Sequence, residues 1–548
     1  MVADFGGDAW VMSRLLTDRY DDFTGGLNLR ADQFQLAKNE SPDMLNVEID
    51  PRGGVFSRGG MHRLNTTAVS GTWDPQRLYA FYGNSSRLML TSNTHVFWSS
   101  GTNFTRLEYS SGNPVTGTIA NHGVCMYAWG DTLYMATGAT STSVGYRWKT
   151  TDTYATALSA NGPTWQPYNN PIGGFMPRAD HVITHTNKLF VAGTYEAGVL
   201  HPNRLRWSHE GLPGDWMADD FIDFNGGGLG IRGLAIVAGQ LVIFKPNGIY
   251  LLVGNSSDNF QVVELSTNLG ANNHHSMAQA EDGVYFYSNP EGVFFYNGTK
   301  IMDVFEPLRP LVDERLLSTA STEPYSVSWI GRRAWIALPY DPDNIATKPT
   351  RNYVLDPSIG ARGAYTQFAT HDGYGLIGGT DWTDDANTNF RVACHPTQPY
   401  VLKVDLYQEE RDNITGTLTA FSSYYRTGWV DGNTYAQKKM FRRPDIVFKQ
   451  VDTQRIVNVK VFQNYEEAAG NERKQFDVSL SGAGTGAYWG VALWGSGLWG
   501  SSSEGVVVKN GRNLGLARSV QLLFTGPSNG GWGIDSITYK YNNRKVSG

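Results

Sequence analysis

From about Asp74 to about Leu406 the chain repeats one pattern: an apolar strand, a small turn, a second apolar strand and often a third. The pattern reads YAFYGNSSRLMLTSNTHVFWSS, then VCMYAWGDTLYMAT with Gly130-Asp131 at its turn. It returns in HVITHTNKLFVAG, LAIVAGQLVIFKPNGIYLLVG, VYFYSNPEGVFFYNGTKI and VSWIGRRAWIALPY. Successive units lie roughly 35–50 residues apart, the period of propeller blades. Each is a thin antiparallel meander that cannot bury both faces alone. Radial stacking about an axis covers those faces and leaves no long open edge. About seven units can be counted, which predicts an all-β chain built on a β-propeller of six to eight blades. A pair of stacked β-sandwiches is the competing arrangement, and the pattern alone does not separate the two. Asn247-Gly248 and Asn297-Gly298 are the strongest two-residue turn signals, because a type I′ turn needs positive φ at both central positions.

Composition agrees with short strands and tight turns. The 548 residues include 62 glycines, and aromatic residues make up 13%, both above ordinary usage. Helix signals are few. Ser41-Pro42-Asp43-Met44 reads as an N-cap with proline at N1, and LVDERLL (311–317) after Pro310 as two helical turns. The net charge of −6 is mild for this length and gives no sign of a nucleic-acid binder. Cys125 and Cys394 are the two cysteines; no disulfide framework or zinc-finger spacing exists, and Cys125 in GVCMYAW reads as a buried free thiol. The N-terminus lacks the basic and apolar regions of a secretory signal, and the longest apolar run, GLAIVAGQLVIF, is too short to cross a bilayer. A soluble protein folded in a reducing compartment is expected.

After about Asp412 the character changes. IVNVKVF (456–462) places Val457, Val459 and Val461 on one face, and Ile537, Tyr539 and Tyr541 alternate likewise. These are half-buried strands of a separate C-terminal β-sandwich. The expected layout is an N-terminal arm and hairpin over 1–73, a propeller over 74–411 and a sandwich over 412–548, interrupted by a Gly/Trp-rich loop at 481–503. The arm has Pro42 and Pro51 but no continuous core pattern. It is expected to lend strands to a packed surface, its own propeller or a neighbouring subunit.

The stretch DFTGGLNLRADQFQLAKNESPDMLNVEIDPRGGVFSRGG resembles the opening of tail proteins from tailed bacteriophages. The matching positions are Gly25 to Asn28, Asn39 to Ser41, Asn46-Val47, Gly53-Gly54 and Arg58-Gly59. NRLRWSHEGLPGDW (203–216), GQLVIFKPNGIYLLVG (239–254), GVYFYSNPEGVFFYNGT, the Trp-Gly repeats and KKMFRRPDIVF are similar to later parts of that family. The resemblance spans nearly the whole chain and carries no catalytic motif. It implies a propeller-containing virion component of the distal tail, either a tail nozzle of short-tailed phages or a minor tail protein. Such a protein is made in the bacterial host cytoplasm and takes part in host attachment and genome ejection. Its implied partners are copies of itself in a ring, an adaptor or connector, and tail fibres. Viral DNA would pass without being specifically bound, and no membrane insertion is implied. The alternative is a lectin-like tail adhesin that binds host surface glycans.

Several residue groups invite a functional reading, and each has a plainer one. Three Trp-Gly pairs five residues apart put Trp489, Trp494 and Trp499 in AYWGVALWGSGLWG, a spacing that lines no single face of a helix or strand. They are either aromatic platforms for sugars or, the favoured reading, anchors that pin a glycine-flexed loop into a groove. Lys438, Lys439, Arg442 and Arg443, with Lys449 nearby, form the densest basic cluster, read as a protein interface or a charged strand edge rather than a DNA contact. His181 and His185 share a strand face, but two histidines with no third ligand near in sequence make a poor metal site. His274-His275 suggest nothing more. Asp385-Ala-Asn387-Thr-Asn389 has the first ligand positions of a calcium loop but Phe390 and Pro396 where glycine and glutamate belong, and Asp341-Pro-Asp343-Asn344 is another acidic turn. No metal, cofactor or catalytic residue is expected. The carboxylates scatter over turns, with no nucleophile elbow or phosphate loop, and a non-enzyme is predicted.

Overall fold

The computed structural model describes residues 15–543, apart from 93–94, 118–123, 159–175, 314–325, 339–347, 361, 407–409, 435, 450–453, 469, 481–506, 511 and 528–529. Two compact units emerge, and neither is a continuous stretch. One contains residues 59–357 and 367–421, the other 1–58, 358–366 and 422–548.

The described residues include a β-propeller of seven four-stranded antiparallel blades, nearly all of it in the first unit; only the outer strand of the sixth blade, Ala364–Phe368, straddles the division. The first strands of the blades are Pro75–Tyr82, Cys125–Trp129, Arg178–His185, Gly233–Val237, Met277–Gln279, Ser326–Ile330 and Ile377–Thr383. Each of these neighbours the next around a closed circle, the seventh returning to the first. They are therefore the inner strands, and the circle removes the open edges that a row of meanders would leave. The outer strand of the seventh blade is Gly60–Arg63, antiparallel to Val401–Leu406 with Leu402 opposite Arg63. A strand from before the first blade thus closes the ring, where the sequence pattern placed it in the arm.

The core lies between blades. Leu78, Leu88 and Leu90 of the first pack with Ile377, Trp382 and Val392 of the seventh. Phe81 and Met89 pack with Leu133, Met135 and Trp148 of the second. The fifth and sixth meet through stacked Tyr285 and Trp329, their centroids 5.5 Å apart. At the ring closure, Trp382 Nε1 donates to Ser86 Oγ at 2.8 Å, and the Ser86 hydroxyl donates to the Thr383 carbonyl.

Among the described residues the second unit has two large sheets and a two-stranded parallel one, Gly26–Leu27 on Glu40–Ser41. One large sheet contains Asp445–Phe448, Lys439–Phe441 and Gly533–Asn543; the other orders Met44–Leu45, Tyr424–Arg426, Val520–Thr525, Arg455–Gln463 and Lys474–Leu480. Val457, Val459 and Val461 are fully buried, as are Ile537 and Tyr539, and Phe448 meets Phe524 edge-on across the sandwich. The alternation read from both segments is borne out. The N-terminal segment lends its strands here, within the same chain: Leu16–Tyr20 pairs with Tyr541–Ile537, and Val55–Phe56 pairs with Ile534–Gly533.

Three local expectations, one helix start and two turns, are corrected, and the helix expected after Pro310 is found over its described part. Ser41–Met44 forms no helix. The Ser41 hydroxyl donates to the carbonyls of Asp43 and Arg426, and Met44–Leu45 becomes an edge strand on Tyr424–Tyr425. Long-range pairing overrides the local cap signal. Helix forms over Arg309–Asp313, and the rest of the 311–317 segment falls outside the described residues. Asn247-Gly248 is not the turn pair, since Lys245 pairs with Gly248 and the turn is Pro246-Asn247; proline fixes φ negative and excludes type I′. The Asn297 turn spans four residues, its side-chain oxygen accepting from the Thr299 and Lys300 amides.

Candidate functional site

Inner strands of a propeller bring side chains from distant sequence positions to one axis. Here residues of the first five blades line a partly open cavity of about 350 Å³. Its wall is mostly apolar, from Val124 and Met126 of the second blade, Val182 of the third, Leu234 and Ile236 of the fourth and Met277 of the fifth, and its polar groups include Arg77, Tyr79, His274 and Gln279. No carboxylate is among the residues that line it; Asp180, on the inner strand of the third blade, is half-buried near Cys125, and burial raises its pKa to about 6.

The polar groups reach across the ring. Arg77 on the first blade donates from Nη1 to the His274 carbonyl at 3.1 Å, just before the fifth. Burial lowers the pKa of its guanidinium, opposed by Cys125 and Tyr79. Tyr79 accepts a hydrogen bond from the Ala128 amide at 3.1 Å, and burial raises its phenol well above the usual range. His274 sits in a single 3₁₀ turn (His274–Ser276) held by a reciprocal cap, in which Asn273 Oδ1 accepts from the Ser276 amide at 2.7 Å.

Three metal-ligating side chains converge at this place. Cys125 Sγ lies 3.6 Å from His274 Nε2 and 3.7 Å from the Val182 carbonyl. The His181 and His274 ring centroids are 5.6 Å apart. One donor atom from each of Cys125, His181 and His274 falls within 4.8 Å of the others. His181 Nε2 lies 3.1 Å from the Ile231 carbonyl; donating there leaves Nδ1 as the lone-pair nitrogen of a neutral ring. Burial pushes the Cys125 thiol up to about 11, with the Val182 bond and Arg77 charge acting the other way. Sequence reasoning missed this cluster. Its members stand on the second and third blades and before the fifth, so ligand spacing cannot reveal it. His185, the residue paired with His181 by sequence, is buried beside Phe190 and is not part of the cluster.

The residues singled out by sequence lie elsewhere. Trp489, Trp494 and Trp499 lie outside the described residues. Lys438, Arg442 and Arg443 are exposed, but Lys439 is fully buried, its ammonium donating to the carbonyls of Thr434, Gln437 and Arg518. That lysine holds the turn at the entry of its own strand and offers nothing to a partner surface. Lys449 pairs with Asp50 at 3.0 Å and lies over the Phe56 ring. The 385–389 segment is a hairpin turn whose side chains serve protein contacts: Asp385 accepts from the Ser86 amide and pairs with Arg87, and Asn389 accepts from the Thr383 hydroxyl. The acidic turn at 341–344 lies outside the described residues. Cys125 and Cys394 are both buried free thiols.

No family model matches the chain, and no curated protein matches it. Among solved structures it is similar to BBS1N, crystallised in complex with ARL6DN, at 11% identity and TM-score 0.37, covering 63% of this chain and 96% of that one. It is also similar to an extracellular domain of a one-component system from B. thetaiotaomicron (10%, TM-score 0.37, 76% and 47% covered). A third likeness is to PorZ of Porphyromonas gingivalis (9%, TM-score 0.36, 67% and 43% covered). At these values the propeller assignment rests on the chain's own closed circle of blades.

Proposed function

We propose that this chain is a non-catalytic structural component of a bacteriophage tail end, a nozzle or minor tail protein that docks copies of itself, an adaptor and fibres. The observation that carries this reading is the use made of the N-terminal residues that bear the tail-protein resemblance. They are framework residues. Asn46, with φ of 54°, accepts from Arg58 Nε at 2.9 Å and donates from Nδ2 to the Ser422 carbonyl at 2.7 Å. At Gly26, with φ of 69°, an added Cβ would stand 2.7 Å from the Tyr365 carbonyl oxygen. Asn46 ties the N-terminal segment to the start of the C-terminal one, and Gly26 packs against a mid-chain strand; residues committed to such joints suit a scaffold better than an enzyme.

The axis of the propeller is not the DNA path in this reading. Side chains from the first and third blades meet His274 directly. Those contacts bridge the inner strands where a duplex would have to pass. Passage would run between copies, and the blades would act as rigid walls.

Immunogold labelling of intact particles with antibodies to this chain tests the proposal. Label at the distal tail end in several copies is the expected result. Label on the head, or particles that lack the chain, would overturn it.

A further inference from the structure

The docking role just proposed makes no use of the ligating atoms of Cys125, His181 and His274, and a metal role for them stands or falls independently of it. Each is held by its own element. Cys125 opens the inner strand of the second blade, His181 lies on that of the third, and His274 is fixed by the capped turn before the fifth. Cys125 and His181 are 4% and 2% exposed, and His274 lines the axial cavity.

We propose that these three side chains bind a zinc ion that ties the second, third and fifth blades together at the propeller axis. The donor set, one sulfur and two imidazoles, suits zinc and excludes the oxygen-seeking cations magnesium and calcium. Zn–S near 2.3 Å and Zn–N near 2.05 Å at a tetrahedral angle hold sulfur and nitrogen about 3.6 Å apart. Cys125 Sγ and His274 Nε2 stand at 3.6 Å. The widest separation in the set, within 4.8 Å, needs a closure of roughly 1 Å to reach the same geometry. His181 Nε2 stands 3.1 Å from the Ile231 carbonyl, the kind of outer partner that metal-bound histidines use when they ligate through Nδ1. Arg77 fixes the backbone of the third ligand through the His274 carbonyl. Binding replaces the thiol proton: Cys–SH and Zn²⁺ give a zinc thiolate and one released H⁺. Three protein ligands leave a fourth position for water.

The test uses the full-length protein without a histidine tag, stripped with chelator and titrated with Zn²⁺ and separately with Co²⁺. One equivalent of zinc per chain is expected. Cobalt is expected to give tetrahedral visible bands and a near-ultraviolet thiolate-to-metal band. Cys125→Ser and His274→Gln, checked for folding by circular dichroism, should weaken binding by at least about 100-fold, beyond the loss typical of outer-sphere partners. Cys394→Ser should bind as the parent does. Should the axial variants misfold, the parent's cobalt spectrum still decides, since the chain has two thiols and the Cys394→Ser spectrum separates them. Less than about 0.1 equivalent bound at micromolar metal, a cobalt complex without the thiolate band, or parent-like binding by Cys125→Ser would each overturn the proposal.

Discussion

Replacing Glu196 should be among the most damaging single changes in the propeller. Glu196 ends the second strand of the third blade, and Arg204 and Arg206 lie on the third. Arg206 is 1% exposed and grips the carboxylate with Nε at 3.0 Å and Nη2 at 2.9 Å, its Nη1 donating to the carbonyls of Met217 and Ala218. The Thr194 hydroxyl and Arg204 Nη1 complete the carboxylate's shell at 2.6 and 3.1 Å. Glu196→Ala strips a buried guanidinium of its paired carboxylate and leaves it two carbonyls and the charge of Asp220, a change worth about 3–5 kcal/mol. Arg204→Ala should cost about 1 kcal/mol, because the pair with Asp223 is part-exposed. At roughly 1–2 °C per kcal/mol for a unit of this size, calorimetry should show the Glu196→Ala transition roughly 3–10 °C lower. Replacing Glu196 and Arg206 together by Met should recover most of the loss. A Glu196→Ala transition within a degree or so of Arg204→Ala would refute the reasoning. The pH dependence has a fixed sign. Burial raises the Glu196 pKa, but the Arg206 and Thr194 hydrogen bonds and the two arginine charges outweigh it, and the net shift is downward. A depressed carboxyl pKa adds stability above the unfolded value of about 4.3, and that stability is lost as pH falls through the folded value. Glu196→Gln should therefore flatten the stability profile below about pH 4.3 and leave its slope near neutrality unchanged.

Other perturbations separate crowding from backbone strain, and framework from surface. Gly378→Ala places a Cβ 2.5 Å from the Gln76 carbonyl oxygen at φ of 60°, whereas Gly130→Ala at φ of 56° meets nothing within 4 Å. The second should cost about 1 kcal/mol and the first at least twice that by calorimetry; equal losses would show that the blades yield at the closure. Deleting residues 1–58 should abolish the sandwich transition and spare that of the propeller, whose closing strand Gly60–Arg63 remains; an unchanged sandwich transition would refute the pairing. Lys439→Ala should destabilise the sandwich by about 2–3 kcal/mol and Lys438→Ala by under about 0.5 kcal/mol in urea titration. The reverse order would return Lys439 to the surface.

What the sequence revealed and what it hid divide along contact range. The meanders were legible because each blade is local. Trp129 opposite Thr132 across Gly130-Asp131, or Ile330 opposite Arg333, joins residues only three apart, and alternation within a few positions suffices to read them. The closing strand was not legible, since Arg63 meets Leu402 and a four-residue strand next to a polar arm carries no mark of its partner. The Ser41 cap failed for the same reason: its hydroxyl answers to Arg426, and a local rule cannot see that competitor. The axial cluster is the extreme case. Each of its residues looked ordinary in its own segment, His181 as a strand histidine, Cys125 as a small apolar side chain, His274 as half of a pair. Their chemistry exists only where the inner strands converge. In a closed ring the residues worth testing are therefore titratable or metal-ligating side chains on or just before the first strands, whatever their separation along the chain.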